Sequence, residues 1–331
     1  MKIGLQIPHF RPSTPETMRI WLKDTVQTVD QGGFDSLWVM DHFFQLGSWL
    51  GKPETEMLEG YTTLGFFAGL TRNVTIGLMV GGVIYRHPAI VIKMVSTLDV
   101  LSGGRAIFGI GAAWYEHETQ SLGMHFPPTS ERFEQLEEIL QIAHQMWRGD
   151  LSPFEGKQFQ LPYPVINPQP LTKPHPPILI GGMGPKKTLR LVAKYGDACN
   201  FFGGSEDQLL KARLETLQEH CADLDRPYAE IEKTVLQTAD FEDGDVNDVI
   251  ARGLVLQEMG FEHIIFNVKG LYNHETLKAF TNQIIPALKG SLRNHFALEL
   301  RFPEDHQHPL AGNQIETEKN AKTIYFFDCR L

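Results

Sequence analysis

The chain has little cysteine: Cys199, Cys221 and Cys329 are the only three in 331 residues. An odd number without Cys-x-x-Cys or Cys-x-x-His spacing excludes a disulfide framework and a zinc site, and fits a reducing compartment. Long apolar runs are missing too. No stretch reaches the roughly 18 uninterrupted apolar residues of a membrane span, and Met1-Lys2-Ile3-Gly4-Leu5-Gln6-Ile7-Pro8 reads as a short strand and turn without the apolar run of a signal peptide. Positive charge is in deficit. Lys and Arg number 30 against 40 Asp and Glu, a formal charge of -10, with no basic stripe of the kind nucleic acid requires. The expectation is a cytoplasmic protein whose partner is a small molecule, with no nucleic acid, membrane or metal. The rest of the composition, 42% hydrophobic with 30 glycines and 20 prolines, is that of an ordinary globular chain.

Short apolar, β-branched runs alternate with longer amphipathic segments, the rhythm of a parallel sheet with crossover helices. Strands are predicted at Ile3 to Ile7, Phe34 to Met40, Val74 to Val80, Ala106 to Ile110, Pro177 to Ile180, Ala198 to Phe202, Ile231 to Thr238 and His263 to Val268. Helices are predicted from about Glu16 to the Gly32-Gly33 stop, over Tyr61 to Leu70, Ala89 to Leu101 and Ser130 to Trp147, and near 185–194, 205–222, 245–259 and 273–288. Between 150 and 176 seven prolines break the rhythm, which predicts an inserted extended excursion. Eight such repeats point to an α/β fold, a (β/α)8 TIM barrel over residues 1–289, because an open doubly wound sheet normally stops at about five to seven strands. Residues 290–331 follow no repeat and form a C-terminal extension of unassigned role. Its Asp305-His306-Gln307-His308-Pro309 reads as exposed polar sequence rather than a metal site.

A barrel places its chemistry at the C-terminal ends of its strands. Asp41-His42 closes the second strand, a carboxylate beside an imidazole that can serve as general acid; a helix-capping Asp with a packing His is the alternative. Gly109-Ile110-Gly111-Ala112-Ala113-Trp114-Tyr115-Glu116 lacks the third glycine of a dinucleotide fingerprint, yet Gly111 and Ala112 would let a flat ring or a phosphate approach closely. Gly181-Gly182-Met183-Gly184 ends a strand before a helix carrying Lys186, Lys187 and Arg190. That arrangement favours a phosphate site over a plain tight turn. The loop from Phe43 to Glu59 carries Phe43, Phe44, Leu46, Trp49, Leu50, Met57 and Leu58, so it predicts an apolar or aromatic substrate under an apolar cover.

These segments together resemble one family over about residues 1 to 288: the bacterial luciferase-like flavin and deazaflavin oxidoreductases. The resemblance is carried by Leu37-Trp38-Val39-Met40-Asp41-His42-Phe43, Tyr85-Arg86-His87-Pro88, Thr97-Leu98-Asp99-Val100-Leu101-Ser102-Gly103-Gly104-Arg105, Gly109 to Glu118 and Pro176 to Gly184. Asp-His-Phe after strand two and Gly-x-Gly-x-x-Trp after strand four are similar to the branch that uses the deazaflavin coenzyme F420. The resemblance implies that His42 faces the reactive ring carbon and polarises or protonates substrate, and that Asp41 orients His42 or contacts the ring edge. It also implies a non-proline cis peptide at Met79-Val80, continued by Gly81, backing the ring. Gly181, Gly182 and Gly184 would cradle the ribityl-tail phosphate, with His117 reaching the ring. The sequence departs from the family's sugar-phosphate dehydrogenases, with Trp114 where they carry a carboxylate and Leu46 near their tryptophan, so glucose 6-phosphate is a poor expectation. Glu116 and Glu118 are nearby, and either is a displaced acid or the first turn of a helix, where the dipole favours carboxylates; the helix reading is preferred for both.

The resemblance implies hydride transfer between F420 and an apolar carbonyl or enone-type substrate. Two alternatives stay open: a two-component monooxygenase receiving reduced FMN from a flavin reductase, and a non-catalytic flavin-binding protein. The helix Ala89 to Leu101 is apolar around more of its circumference than one core stripe needs, which predicts a homodimer.

Overall fold

The computed structural model describes residues 1–10, 14–241 and 244–290. Its strands are β1 (Lys2–Ile7), β2 (Ser36–Val39), β3 (Thr75–Leu78), β4 (Gly81–Gly82), β5 (Ala106–Gly111), β6 (Phe154–Glu155), β7 (Gln160–Leu161), β8 (Ile178–Gly181), β9 (Ala198–Phe202), β10 (Glu232–Asp240) and β11 (His263–Lys269). Its α-helices are α1 (Pro15–Gln31), α2 (Gly60–Leu70), α3 (Pro88–Ser102), α4 (Glu116–Ser121), α5 (Thr129–Trp147), α6 (Thr188–Tyr195), α7 (Asp207–Asp223), α8 (Val246–Glu258), α9 (His274–Ala279) and α10 (Ile285–Lys289). Parallel pairing runs β1-β2-β3-β5-β8-β9-β10-β11 and back to β1, so the ring closes. This is the (β/α)8 barrel that the alternation predicts.

The crossovers form where local chemistry starts and stops them. At α1, Thr14 caps the helix in a reciprocal box with Thr17, Pro15 presets the first turn, and Trp21, Leu22, Val26 and Val29 supply the buried stripe. The Ser-Gly-Gly-Arg element that carries the resemblance is architectural. Gly103 and Gly104 both take positive φ, and Arg105 reaches back to Thr71 Oγ1 and the carbonyls of Thr71 and Val74, fastening the end of α2 to the start of β3.

Three details differ from the predicted spans. The third strand stops at Leu78, the Met79-Val80 peptide is cis, and β4 resumes as a two-residue pairing with β5. The last helix is split by a π-helical segment, Phe280–Ile284, because Pro286 has no N–H to continue the α-helical ladder. Within 150–176 the chain forms the small antiparallel β6-β7 hairpin and otherwise irregular backbone with repeated bends. Two buried carboxylates pin this excursion: Glu138 accepts from the amides of Lys157, Gln158 and Phe159, and Asp99 accepts from the amide and hydroxyl of Thr172.

Inside the ring, Trp38, Met79, Leu179, Ala198 and Ile265 form an apolar plug. Below it, Trp38 Nε1 donates to Ser36 Oγ (2.7 Å), which lies 2.8 Å from His263 Nε2. The tail, with His306 and His308, lies outside the described residues.

Candidate active site

β2 ends at Val39, and the chain leaves the rim through Met40, Asp41 and His42. Asp41 is buried, and its two oxygens accept from Arg86 Nη1 (2.7 Å) and Nη2 (2.8 Å), with the amide of Gly82 also donating at 3.1 Å. Arg86 Nη2 also donates to Glu59 Oε1 (2.6 Å), and the guanidinium lies 4.9 Å from the Tyr61 ring centre. Glu59 in turn caps α2 through the amides of Tyr61 and Thr62. Burial opposes ionisation of Glu59, but hydrogen bonds from Thr62 and Arg86 outweigh it and hold its carboxyl below the usual range. One bidentate pair thus binds three loops: the end of β2, the start of α2 and the segment after β4.

His42 has a different carboxylate. Glu118, on α4, is fully buried, and its Oε1 lies 3.2 Å from His42 Nδ1 and accepts from the Tyr85 hydroxyl at 2.7 Å. Its Oε2 accepts from the amides of Phe43 and Phe44. Burial works against the charge on Glu118, yet the bonds from His42 and Tyr85 and the Phe44 amide overcome it, so its pKa falls. Burial and then Glu118 push the Tyr85 hydroxyl in the opposite direction, upward. Of the two roles the resemblance implies for Asp41, orienting His42 or contacting the ring edge, the first falls here to another residue: Arg86 and Gly82 take up Asp41, and Glu118 reaches the imidazole. Glu118 does stand in a first helical turn, as expected, but the turn faces it inward.

The His42 ring meets Trp114 and Tyr115 edge-on, at 5.7 and 5.9 Å between centres, and those two rings stack on each other. Trp114 is 49% exposed, so it is available to a ligand at the rim. Arg132 holds this segment by donating to the carbonyls of Ala112 and Ala113. His117 is exposed and packs near Phe44 and Tyr115, one residue from the inward Glu118.

Val80 explains two of the predicted glycines. A Cβ on Gly181 would stand 2.6 Å from Val80 Cγ2, and one on Gly111 would stand 3.0 Å from the same methyl. The space that reads in sequence as room for a ring or phosphate is filled here by Val80, which those glycines admit to the mouth. Gly182 takes φ +111° and donates its amide to Asn200 O, while the carbonyl of Gly184 accepts from Leu189 in the first turn of α6. Lys186 and Lys187 are exposed beside that turn.

Polar groups also line the barrel interior. Gln6 is 1% exposed and donates Nε2 to Met79 O at 3.3 Å; its Oε1 has no partner among the described residues. Asn267, in register with Gln6 on the neighbouring strand, has a buried Oδ1 in the same condition. The cover over the mouth is stitched by Gln45, fully buried, which donates to the carbonyls of Pro8 and Glu56. Phe43 packs edge-on against Tyr85, and Leu46 is half-buried; the side chain of Trp49 lies outside the described residues. Sequence reading gave no role to Tyr85, Arg86, Glu59 or Gln6. Tyr85-Arg86 was visible as a motif, and a cation beside a strand end that already held an aspartate was the signal.

The fold and rim define a class: a (β/α)8 barrel with a carboxylate-held imidazole at its strand ends, the face at which barrel enzymes carry their chemistry. The chain belongs to the luciferase-like monooxygenase family, whose sequence model matches residues 1–240. It is 29% identical over 186 residues to an F420-dependent glucose-6-phosphate dehydrogenase of Microbacterium testaceum, covering 56% of this chain and 53% of that one. It is 28% identical over 218 residues to a pyrimidine monooxygenase of Allorhizobium ampelinum, covering 62% and 57%. The matched stretch thus spans little more than half the length of either relative. Among solved structures, an F420-dependent secondary alcohol dehydrogenase in complex with an F420-acetone adduct superposes with a TM-score of 0.74 at 19% identity, covering 87% of this chain and 98% of that one. No helix among the described residues is long and apolar enough to cross a membrane.

Proposed function

We propose that the protein is an F420-dependent oxidoreductase that moves a hydride between the deazaflavin and an apolar carbonyl, carbinol or enone-type substrate. The observation that carries this reading is His42, held at the strand-end rim by a buried carboxylate, with the other ring nitrogen free of protein partners among the described residues. F420-dependent relatives at 29% identity support it.

The mouth fits a flat heterocycle with a polar edge. Val80 and Met79 offer an apolar wall, Gly81 continues it, and the buried oxygens of Gln6 and Asn267 call for N–H or O–H donors that such a ring supplies. Gly184 and the first turn of α6, with Lys186 and Lys187 exposed nearby, would hold the tail phosphate, whereas the Gly182 amide is committed to Asn200 O and the space at Gly181 to Val80. Bound there, F420 supplies a two-electron carbon centre that accepts or gives hydride. His42 handles the proton. As a carbinol C–H leaves as hydride, the imidazole takes the O–H proton and the carbonyl forms; in reverse, it returns that proton to oxygen. Arg86, Asp41 and Glu59 fix the rim, and the apolar cover of Phe43, Phe44 and Leu46 excludes water and favours an apolar substrate body over a sugar phosphate.

A second reading, an FMN-dependent monooxygenase served by a flavin reductase, is favoured by the match to the pyrimidine monooxygenase. Oxygen uptake separates the two. The deazaflavin reading expects anaerobic reduction of F420 by a secondary alcohol and no oxygen uptake with reduced FMN, and brisk uptake would reverse the order.

The reading includes a homodimer. Ile90 and Leu101 of α3 are 56% and 69% exposed, and a groove of about 540 Å³ runs beside Ile90 past His87, Lys93, Tyr163 and Val165. It also includes residence in the cytoplasm, with which the buried free thiols of Cys199 and Cys221 are consistent.

A further inference from the structure

Four groups converge on the Glu118 carboxylate from two parts of the chain: the His42 ring and the Phe43 and Phe44 amides from one, and the Tyr85 hydroxyl from the other. We infer that Glu118 is the positioning residue of the site, holding His42 as the Nδ1–H tautomer so that Nε2 is the nitrogen presented to substrate.

The two amides can only donate, and the hydroxyl donates to the same oxygen that faces the imidazole. An ionised carboxylate is acceptor-only, so a bare Nδ1 lone pair 3.2 Å from Oε1 would be repelled. Nδ1 must therefore carry hydrogen, and in the neutral ring Nε2 is then the base. Asp41, adjacent in sequence, is committed to Arg86 and Gly82. Glu118 also fixes the first two amides of the loop that covers the mouth. Imidazole orientation and the origin of the cover thus depend on one side chain, 76 residues from the histidine it serves.

The inference rests on the reading of His42 as the proton carrier, but its test needs neither coenzyme nor substrate. Histidine-selective ¹⁵N labelling of the protein, with His42 assigned by its loss in His42→Asn, reports which ring nitrogen carries hydrogen in a long-range ¹H–¹⁵N correlation. The expected result is a protonated Nδ1 and a bare Nε2. In Glu118→Gln, the carboxamide keeps its oxygen for the Phe43 and Phe44 amides and turns its NH2 to the ring, so the proton moves to Nε2. Turnover then falls about 100-fold while the substrate KM changes by less than about threefold. A parent protein with hydrogen on Nε2, or an unchanged tautomer in folded Glu118→Gln, would overturn the inference. The parent spectrum decides alone if the variant does not fold. A tautomer as inferred in a protein without hydride transfer would support this role and sink the functional reading instead.

Discussion

Val80 occupies its place because Gly181 and Gly111 have no side chains, and Gly181→Ala tests that directly. The added methyl would stand 2.6 Å from Val80 Cγ2, 3.0 Å from Cγ1 and 3.4 Å from Cβ. Val80 is β-branched and stiff at χ1, and both of its methyls lie within 3.0 Å of the added carbon, so rotation exchanges one close contact for another. The strand ends must shift instead, an overpacking cost of about 1–3 kcal/mol. Val80→Ala removes both obstructing methyls, so Gly181→Ala/Val80→Ala should be more stable than the sum of the single changes by about 1–2 kcal/mol. Urea unfolding with a constant m-value measures this cycle. The mouth geometry is wrong if Gly181→Ala is as stable as the parent, or if the two changes simply add.

Two further outcomes are expected. His42→Ala should lower turnover by about 10²–10⁴-fold while coenzyme affinity stays within about threefold, because the lost group moves a proton and does not build the cradle; equal turnover removes His42 from the chemistry. At the opposite end of the barrel, Glu232 has a pKa of about 2: burial opposes its charge, but His263 and Lys2, at 3.3 and 3.0 Å, prevail. A folded pKa below the unfolded value means stability that is full above about pH 4.5 and lost as pH falls toward 2. Glu232→Gln should cost about 2 kcal/mol at pH 7, a value reduced for partial exposure, and the difference from the parent should shrink through that acid window. A difference that does not vary with pH in chemical denaturation would contradict it.

The barrel was legible because each strand is a compact apolar run and each helix brings its own stop, such as Gly32 after α1 or the Gly103-Gly104 pair after α3. The break at Met79-Val80 was not written in apolar pattern, since Val74 to Val80 reads as one strand; only the resemblance pointed to the cis bond now seen. In the site, adjacency misled. Asp41 stands next to His42 in sequence, but successive residues leaving a strand face different ways, and the partner came from α4. Glu118 reads as a helix-start carboxylate, which it is, but the fold of the 112–116 segment, with Ala113 at φ +59°, turns it inward, and no local rule fixes that. Gly111 at the end of β5 reads as making room and Gly181 at the end of β8 as part of a phosphate cradle, while the occupant of both spaces, Val80, is visible only once the strands are closed into a ring.

The most direct test of the functional account is a paired titration of the purified protein with F420 and with FMN, followed by coenzyme fluorescence and absorbance. The account predicts saturable, tight binding of F420 and binding of FMN weaker by at least about tenfold, a gap of about 1.4 kcal/mol. Preference for FMN would contradict deazaflavin hydride transfer and put the oxygen-using monooxygenase in its place.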